Sequence, residues 1–403
     1  MSTSTEAADT PAHRIGSDAE AIEIADRLSA AVAAGAIERD RERQVPIAEL
    51  EELDRSGLLA LLIPTEYGGA GGRIETLLEV FRLIAAADPS IAQVPQNHYM
   101  FVDAIVRYGT PTQRQLLLSE VVAGGRVGNA ISERGGKTAL DTKTMLRDDG
   151  AEGLRLDGVK FYSTGALTSR RITVLARSED DSLSFVYVPR EIAGLEVDQD
   201  WTAFGQRATI SGSTRLDDVA VDPEWVIPVA ARDGHDVWAA LGQILHAAID
   251  VGISRGALDD GVRFLVEKSR PWPEAEVDRP AEEPAVILHF GQLQARVRAV
   301  ETLLADTGRR LDAAYPSDDA AIVDAARVAT AEVKALAADT ALATTTAVID
   351  MLGTSATDQK YGLDRHWRNA RTHTLHDPTR WKYMHVGNYL LSGKAPDANS
   401  FLI

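Results

Sequence analysis

Three long stretches without a proline constrain the fold of this chain more than any other feature of its sequence. They run over Val237–Lys268, Ala285–Ala314 and Asp318–Leu352, and all three are rich in alanine. Helices of about 30 residues are far longer than the usual mean of about 11–12 residues. We therefore expect a C-terminal helical bundle that also forms an oligomer interface.

The middle of the chain follows a different pattern. Between Val127 and Asp218, short runs alternate apolar with polar residues and carry β-branched or aromatic side chains, as in Leu154–Tyr162 and Leu183–Val188. Turn sequences such as Asp157-Gly158 separate these runs, which is typical of short strands. The pattern predicts a small β-barrel or β-sandwich.

Shorter helical patterns precede the β region, so the expected fold is mainly α with a central β domain. We predict a flexible tail over residues 1–15, an N-terminal helical domain over 16–124, a central β domain over 125–235 and a C-terminal four-helix bundle over 236–403. A chain of 403 residues is long enough for several domains of about 100–200 residues each.

Charge and cysteine content exclude several classes of function. The formal net charge is -18, and both nucleic acid and an anionic membrane require a basic face, so we expect neither as a partner. Cysteine is absent, which excludes disulfides, thiolate catalysis and Cys-ligated metal centres. No signal-peptide pattern precedes His13, and no apolar run reaches the roughly 20 residues that span a bilayer. We therefore expect a cytoplasmic protein.

The densest group of candidate catalytic side chains lies near the C-terminus. Histidine suits proton transfer near neutral pH. Four histidines and three evenly spaced arginines lie in this segment, and they allow three interpretations. The segment is a polar or interface-forming helix, a metal-binding histidine pair, or a site whose arginines bind a phosphate and whose histidines move protons. No HExxH motif supports the metal, and we predict no metal site. The group comprises His366, His373, His376 and His385, with Arg365, Arg368 and Arg371 spaced three residues apart.

Hydroxyl groups cluster at the ends of two predicted strands. Lys160–Ala166 contains Ser163 and Thr164, and Gly128–Lys137 supplies similar polar groups beside another strand. Ser163 lacks the G-x-S-x-G setting of a nucleophilic serine, and neither segment has a phosphate-binding glycine motif. Each segment is either a simple turn or a set of groups directed at a planar polar ring.

Taken together, these segments resemble the acyl-CoA dehydrogenase superfamily, whose chain order is also helical, β, helical. Pro64–Gly69 resembles its early P-x-E-Y-G-G loop. Ile131–Glu133 stands at its L-T-E-P position, and Lys160–Thr164 at its K-x-W-I-T position. Phe204–Arg207 and Leu216–Val219 resemble its G-x-R-x-S and F-D-D-V runs. The resemblance covers nearly the whole chain.

Departures from the superfamily pattern indicate a branch. Where dehydrogenases carry the Glu that abstracts the substrate α-proton, this chain has Asp377 followed by Pro378. The signature that holds the adenylate half of FAD is missing, and Ser269–Trp272 occupies that region, which suggests FMN in place of FAD. The departures resemble the flavin monooxygenase branch. Asn129, Tyr162–Gly165 and His373–Pro378 are similar to the dibenzothiophene monooxygenase group. The longer runs Pro95–His98, Lys160–Leu167, Gln243–Gly252, Arg365–Pro378 and Trp381–Tyr383 resemble the SfnB-type sulfur-acquisition oxidoreductases.

The resemblance implies a two-component enzyme. A separate flavin reductase supplies FMNH2, and the protein uses O2 to oxygenate an organosulfur compound through a C4a-(hydro)peroxyflavin. Arg270 is the candidate for the FMN phosphate, because a guanidinium group offers a bidentate fork. By position, the implied catalytic residues are His98, Ser163, His373, His376 and Asp377. The implied flavin-binding residues are Asn129, Ser132, Tyr162, Ser163, Thr164, Trp201, Arg270 and Arg368.

Two alternatives stay open at the level of sequence. One is an FAD-dependent acyl-CoA dehydrogenase-like enzyme with Asp377 as the base, and the other is a flavin-free scaffold of the same fold. His98 also has a structural interpretation as a buried core histidine, and Trp201 as a packing residue. The resemblance and the long helices together suggest a homotetramer.

Overall fold

The architecture is helical, β, helical, as expected. The computed structural model describes residues 12–138, 141–229 and 236–397. The N-terminal helices are α1 (Asp18–Ala33), α2 (Ala36–Glu42), α3 (Ile47–Arg55), α4 (Ile74–Ala87), α5 (Pro89–Gln93), α6 (Gln96–Tyr108) and α7 (Pro111–Val122). The C-terminal helices are α8 (Trp238–Lys268), α9 (Pro284–Ala314), α10 (Ala320–Leu352), α11 (Asp364–His373) and α12 (Thr379–Ser392).

The start of the described chain packs onto the N-terminal helices. Residues 1–11 of the predicted flexible tail lie outside the described residues. The His13 backbone N–H donates to the Arg55 carbonyl, and the Ile15 side chain is buried in the core. Residues 12–15 are therefore held by the fold, unlike the tail that the sequence predicted there.

The central region is one eight-stranded sheet. β4 lies near its middle, pairing antiparallel with β5 and parallel with β1, and its interior residues are buried because both faces are covered. The strand order is β6-β7-β3-β2-β4-β5-β8, with β1 on β4. The strands are β1 (Val127–Ala130), β2 (Met145–Asp148), β3 (Leu154–Lys160), β4 (Arg171–Arg177), β5 (Leu183–Pro189), β6 (Leu195–Val197), β7 (Thr214–Val221) and β8 (Val226–Pro228).

Helix α8 is the central element of the molecule. Every residue from Trp238 to Ser254 is buried, as expected of a helix that is covered on all sides. It packs against α10 and α4 most extensively, and also against α6, α9 and α11. The N-terminal helices and the C-terminal bundle therefore share one hydrophobic core, and α8 contacts both sets of helices.

Helix α10 corrects one expectation from the sequence. By length and apolar composition it is long enough to cross a membrane, although the sequence analysis expected no such run. Half of its most apolar window is buried, and the helix packs against α8, α9, α11 and α12. Its apolar character is accounted for by its place in the bundle.

A close backbone approach joins the β region to α11. A Cβ atom at Gly205 would overlap the carbonyl oxygen of Arg368, and the adjacent Gln206 N–H donates to Asn369 Oδ1 at 2.6 Å. We predict that Gly205→Ala destabilises the protein by about 1–3 kcal/mol, the usual cost of overpacking. Thermal unfolding measures the effect.

Gly291 provides the matched control. It lies inside α9, and an added Cβ would meet no described atom within 4 Å. Because alanine restricts the unfolded chain and favours helix, Gly291→Ala should stabilise by about 0.5–1 kcal/mol. Equal melting temperatures for the two variants would contradict the close approach at Gly205.

Candidate active site

Three histidines and an aspartate meet where α8 faces the last turn of α11. Asp250 Oδ1 lies 2.6 Å from His373 Nδ1, and His373 Nε2 lies 3.0 Å from His246 Nδ1. The ring of His376 stacks on His246 with centroids 3.9 Å apart. Gln93, at the end of α5, places its Oε1 3.0 Å from His373 Nε2. The structure thus brings together two of the predicted catalytic residues, His373 and His376.

The histidine cluster favours neutral rings at two of its positions. Burial lowers the pKa of His246 far below its usual value, and the positive charges nearby act in the same direction. His376 stays open to solvent, yet desolvation by the surrounding protein, followed by the charge of Lys334, lowers its pKa too. Both rings are therefore uncharged at neutral pH and can accept a hydrogen bond.

Two buried lysines converge on Asp377. Lys382 Nζ lies 2.8 Å from Asp377 Oδ2, and Lys334 Nζ lies 3.7 Å from Asp377 Oδ1. Burial alone would raise the pKa of Asp377, but Lys334, His376 and Lys382 outweigh it and hold the pKa below its usual value. Burial lowers the pKa of Lys382 to about 8, although Asp377 opposes that shift. Asp377 is therefore an ion-paired carboxylate and a poor base.

Local sequence explains how these groups meet. His246 and Asp250 stand four residues apart, so they lie on the same face of α8. His373 ends α11, and Pro378 precedes the first residue of α12, so the chain turns between the two helices. This turn places Asp377 against both α10 and α12.

A second group of predicted residues surrounds the end of β3. Ser163 is fully buried, and its Oγ has no hydrogen-bond partner among the described residues. Asn129 donates its Nδ2 hydrogen to the Tyr162 carbonyl at 3.0 Å, while its Oδ1 is buried and also lacks a described partner. One buried acceptor and one buried hydroxyl therefore make no hydrogen bond to the described residues. Burying such groups costs free energy unless a ligand forms hydrogen bonds with them.

An ion pair fixes the loop that precedes β2. The fully buried Lys160 places its Nζ 2.6 Å from Glu133 Oε1 and donates to the Ile131 carbonyl. Burial lowers the pKa of Lys160, against the opposing effect of Glu133. The Ser132 carbonyl accepts from the Phe161 N–H at 2.8 Å, so Ser132 meets the end of β3 through its backbone.

Aromatic side chains cover the outer side of this group. Tyr162 is about half exposed and meets the Trp201 ring edge-on, with centroids 6.2 Å apart. Trp201 Nε1 donates to the Gln206 carbonyl. Thr164 Oγ1 lies 2.7 Å from Ser211 Oγ, so its hydroxyl is already engaged.

The end of α5 connects the two groups. The Gln93 side chain contacts His373, while the carbonyl of the next residue, Val94, lies against Gly165 in the loop after β3. Gly165 has φ +75°, and a Cβ there would come within 3.0 Å of that carbonyl. The histidine cluster and the Ser163 loop therefore flank one short segment of backbone.

Three predicted residues stand apart from this arrangement. His98 is fully buried, its Nδ1 accepts from the Val127 N–H and its Nε2 donates to the Leu59 carbonyl. Burial lowers the pKa of His98 to about 4. These contacts match the core-histidine interpretation and leave neither ring nitrogen for a substrate.

The two arginines also differ from expectation. Arg368 is held by Asp40 at 2.6 Å and Asp364 at 2.7 Å, so its guanidinium has carboxylate partners and is not a free phosphate fork. Arg270 lies exposed on the linker after α8 and has no hydrogen bond or ion pair within the described residues. Of the two, only Arg270 keeps the capacity to bind a phosphate.

Five residues of the site were not predicted from the sequence: Gln93, His246, Asp250, Lys334 and Lys382. A signal was present for two of them. His246 and Asp250 interrupt an otherwise apolar helical run at a spacing of four, and buried polar side chains in such a run usually have specific partners.

Comparison with known proteins supports a family assignment. The chain matches the acyl-CoA dehydrogenase N-terminal domain over residues 21–125, the middle domain over 129–219 and the C-terminal domain over 244–381. Dibenzothiophene monooxygenase of Rhodococcus erythropolis is 33% identical over 404 residues, covering 95% of this chain and 96% of that protein.

Two further proteins extend the comparison. The probable FMNH2-dependent monooxygenase SfnC of Pseudomonas putida is 30% identical, covering 93% of this chain and 96% of that protein. The crystal structure of FMN-bound TdsC from Paenibacillus sp. A11-2 has a TM-score of 0.90 at 28% identity, covering 95% of this chain and 100% of that chain. The chain therefore belongs to the acyl-CoA dehydrogenase family. Within that family it is a flavin-dependent oxidoreductase of the monooxygenase type.

The residues present fit a flavin. The isoalloxazine ring offers adjacent carbonyl and N–H groups along one edge, and the unpaired Asn129 Oδ1 and Ser163 Oγ supply an acceptor and a hydroxyl. Tyr162 and Trp201 provide aromatic surface beside them.

The Asp377 ion pairs generate a stability prediction. Lys382→Met removes the closer of the two lysines and leaves a buried carboxylate with one distant partner. We expect a loss of about 3 kcal/mol, because removing one member of a buried pair leaves an uncompensated charge. Denaturant unfolding measures it.

Lys360→Met is the control, since the Lys360–Asp358 pair is exposed. Its loss should be about 0–1 kcal/mol. If Lys382→Met costs no more than Lys360→Met, the buried pairing is not a stabilising feature.

Proposed function

We propose that this protein is an FMNH2-dependent monooxygenase that oxygenates an organosulfur compound with O2, and that a separate flavin reductase supplies the reduced flavin. The observation that carries the proposal is that two groups of polar side chains flank the end of α5, where Gln93 contacts one and Val94 lies against the loop of the other. On one side Asn129 Oδ1 and Ser163 Oγ are buried without described partners, and on the other the His376 ring is open beside His246. The names of the relatives above support the same chemistry.

The bound flavin would supply the activation of O2, and the chain's own residues would control its surroundings. Asn129 and Ser163 would hold the polar edge of the ring. Trp201 and Tyr162 would cover it and limit the entry of water. The neutral His376 ring would hydrogen-bond to the reacting group or pass a proton at its ring nitrogens, which have no partner within the described residues, with His373 behind it.

Arg270 would bind the FMN phosphate. Its guanidinium is exposed and lacks an intramolecular partner in the described chain, and it lies on a linker that leaves the bundle. In a homotetramer this linker would reach across a subunit boundary. Exposed apolar side chains on the bundle, including Ile287 and Leu288 on α9 and Leu390 and Leu391 on α12, support such an assembly. We propose the cytoplasm as its location.

The acyl-CoA dehydrogenase alternative is the weaker one. It requires Asp377 to remove a carbon-bound proton, and Lys334 and Lys382 hold that carboxylate in its ionised, weakly basic form. The flavin-free alternative leaves the buried Asn129 Oδ1 and Ser163 Oγ without a hydrogen-bond partner among the residues that the structure describes.

A substrate panel tests the proposal. The protein is mixed with a flavin reductase, NADH, FMN and O2, and thiophenes, sulfones, sulfinates and amines are each assayed for oxygenated product. We expect product from a sulfur compound with FMN. Tight binding of FAD with bleaching by acyl-CoA would overturn the proposal, and so would failure to bind any flavin.

The role of Arg270 generates a binding prediction. Arg270→Ala should weaken the binding of FMN at least about tenfold, because one charge-assisted phosphate contact contributes about 1.5–3 kcal/mol. Binding of riboflavin, which has no phosphate, should not change. Fluorescence titration measures both.

Arg279→Ala, in the same linker, is the control because Arg279 is paired with Glu282. It should leave both affinities unchanged. An equal loss of riboflavin binding in Arg270→Ala would show that Arg270 does not act on the phosphate.

The position of His376 generates a kinetic prediction. His376→Ala should lower the yield of oxygenated product by about 10²–10⁴-fold while H2O2 takes its place, because a positioned proton carrier contributes a factor of that size. Product and H2O2 are quantified per FMNH2 consumed. His289→Ala, at an exposed histidine on α9, is the control. Full coupling in His376→Ala would refute the assignment.

A further inference from the structure

A chain of hydrogen bonds connects α8 to α11 and returns to α8. It runs from Asp250 Oδ1 to His373 Nδ1 over 2.6 Å and from His373 Nε2 to His246 Nδ1 over 3.0 Å. All three side chains are buried. Neither Asp250 nor His246 has a role in the function proposed above.

Asp250 fixes one hydrogen of His373. A carboxylate can only accept, so the Nδ1 of His373 carries the hydrogen and donates it. His373 Nε2 then has two possible states. In the neutral ring it accepts from His246 Nδ1–H, and in the imidazolium it donates to His246 Nδ1 or to Gln93 Oε1.

His246 has two neutral tautomers that match these two states. When a proton binds at His246 Nε2, the Nδ1–H bond breaks and its hydrogen forms a bond to His373 Nε2. The electron pair left on His246 Nδ1 then accepts from the new N–H. His246 remains neutral, His373 becomes an imidazolium beside Asp250, and the reverse steps release the proton at His246 Nε2.

The outer end of this chain lies next to His376. His246 Nε2 has no hydrogen-bond partner within the described ranges, and the ring stacks on His376 at 3.9 Å. A proton released there would emerge beside the histidine that is open to solvent.

Of the three rings, His373 is the one that lies against a carboxylate. Lys334 on α10 and Lys382 on α12 oppose a positive charge on His246 and on His376. Asp377 pairs with those two lysines, whereas Asp250 on α8 faces His373 alone among the three rings. From α5 the neutral side chain of Gln93 contacts the cluster at His373 Nε2.

We propose that Asp250, His373 and His246 form a proton relay beneath His376, in which His373 stores one proton and His246 passes it to and from the reaction site. The relay rests on the proposed function. In the overall reaction, FMNH2 + O2 + substrate → FMN + oxygenated substrate + H2O, the two hydrogens of the reduced flavin end in the water molecule. Because the site limits the entry of bulk water, the protein's own side chains would have to carry these protons. Asp250 is a positioning residue that acts through His373.

The test uses two variants of the relay in the full-length protein. Asp250→Asn keeps a hydrogen-bonding group but removes the charge that balances the imidazolium. His246→Gln keeps a donor and an acceptor but cannot exchange tautomers. Each should lower the product yield per FMNH2 by about 10²-fold or more, the factor expected of a proton carrier. FMN affinity should not change, because neither residue contacts the Asn129 and Ser163 group.

The chain offers a matched control. His366 Nε2 lies 2.9 Å from Asp260 Oδ2, a partly buried histidine–aspartate contact between α11 and α8, and no second histidine of the described chain bonds to His366. Asp260→Asn should destabilise the protein, since Asp260 also binds Arg365, but it should leave the product yield per FMNH2 unchanged. A purely structural role for Asp250 predicts the same result for both aspartates.

A second readout needs neither flavin nor substrate. Hydrogen–deuterium exchange at the histidine C2 position, followed against pH by mass spectrometry in the protein without flavin, reports the protonation of each ring. Asp250→Asn should shift the exchange profile of His373 and leave that of His366 unchanged, while Asp260→Asn should do the reverse.

The outcomes separate the relay from the function. If wild-type protein oxygenates no sulfur compound but the exchange profiles change as stated, the proposed monooxygenase function is wrong, while the assignment of Asp250 and His373 as a proton-holding pair is supported. If wild-type protein is active and Asp250→Asn or His246→Gln remains fully coupled, the relay is wrong. An unchanged His373 profile in Asp250→Asn also overturns it.

Discussion

The hydrogen bond between Asp250 and His373 is the contact on which the geometry of the site depends. It joins the buried part of α8 to the last turn of α11, and the side chains of Asp250 and His373 are only 1% and 2% exposed. Because α11 leads directly into His376 and Asp377, fixing His373 also orients the residues that follow. Gln93 contacts His373, and the carbonyl of the next residue, Val94, lies against Gly165, so the same end of α5 also contacts the β region.

Charges inside the site are balanced locally, although the whole chain is strongly acidic. Asp377 faces two lysines, Asp250 faces His373, and Lys160 faces Glu133. Such pairing allows a site to exclude water without leaving a buried charge uncompensated. Asn129 Oδ1 and Ser163 Oγ are two of the buried atoms that have no hydrogen-bond partner among the described residues, and both are neutral, which suits the polar edge of a flavin.

Local patterns predicted the fold well, but long-range partners could not be predicted. The uninterrupted alanine-rich stretches predicted α8, α9 and α10 to within two residues at each end, because proline and capping act locally. The pairing of His373 with Asp250 spans 123 residues, and that of Arg368 with Asp40 spans 328. Spacing along one helix shows which residues share a face but not what that face meets. For the same reason His98 was expected at the site, whereas its backbone partners place it in the core.

The most direct test of the central claim is oxygen labelling. The protein is supplied with FMNH2 under 18O2 in unlabelled water together with a sulfur compound from the panel, and the product is analysed by mass spectrometry. The account predicts one atom of 18O per product molecule, bonded to sulfur. Product that carries only solvent oxygen, or consumption of FMNH2 and O2 that yields H2O2 alone with every compound, would contradict it.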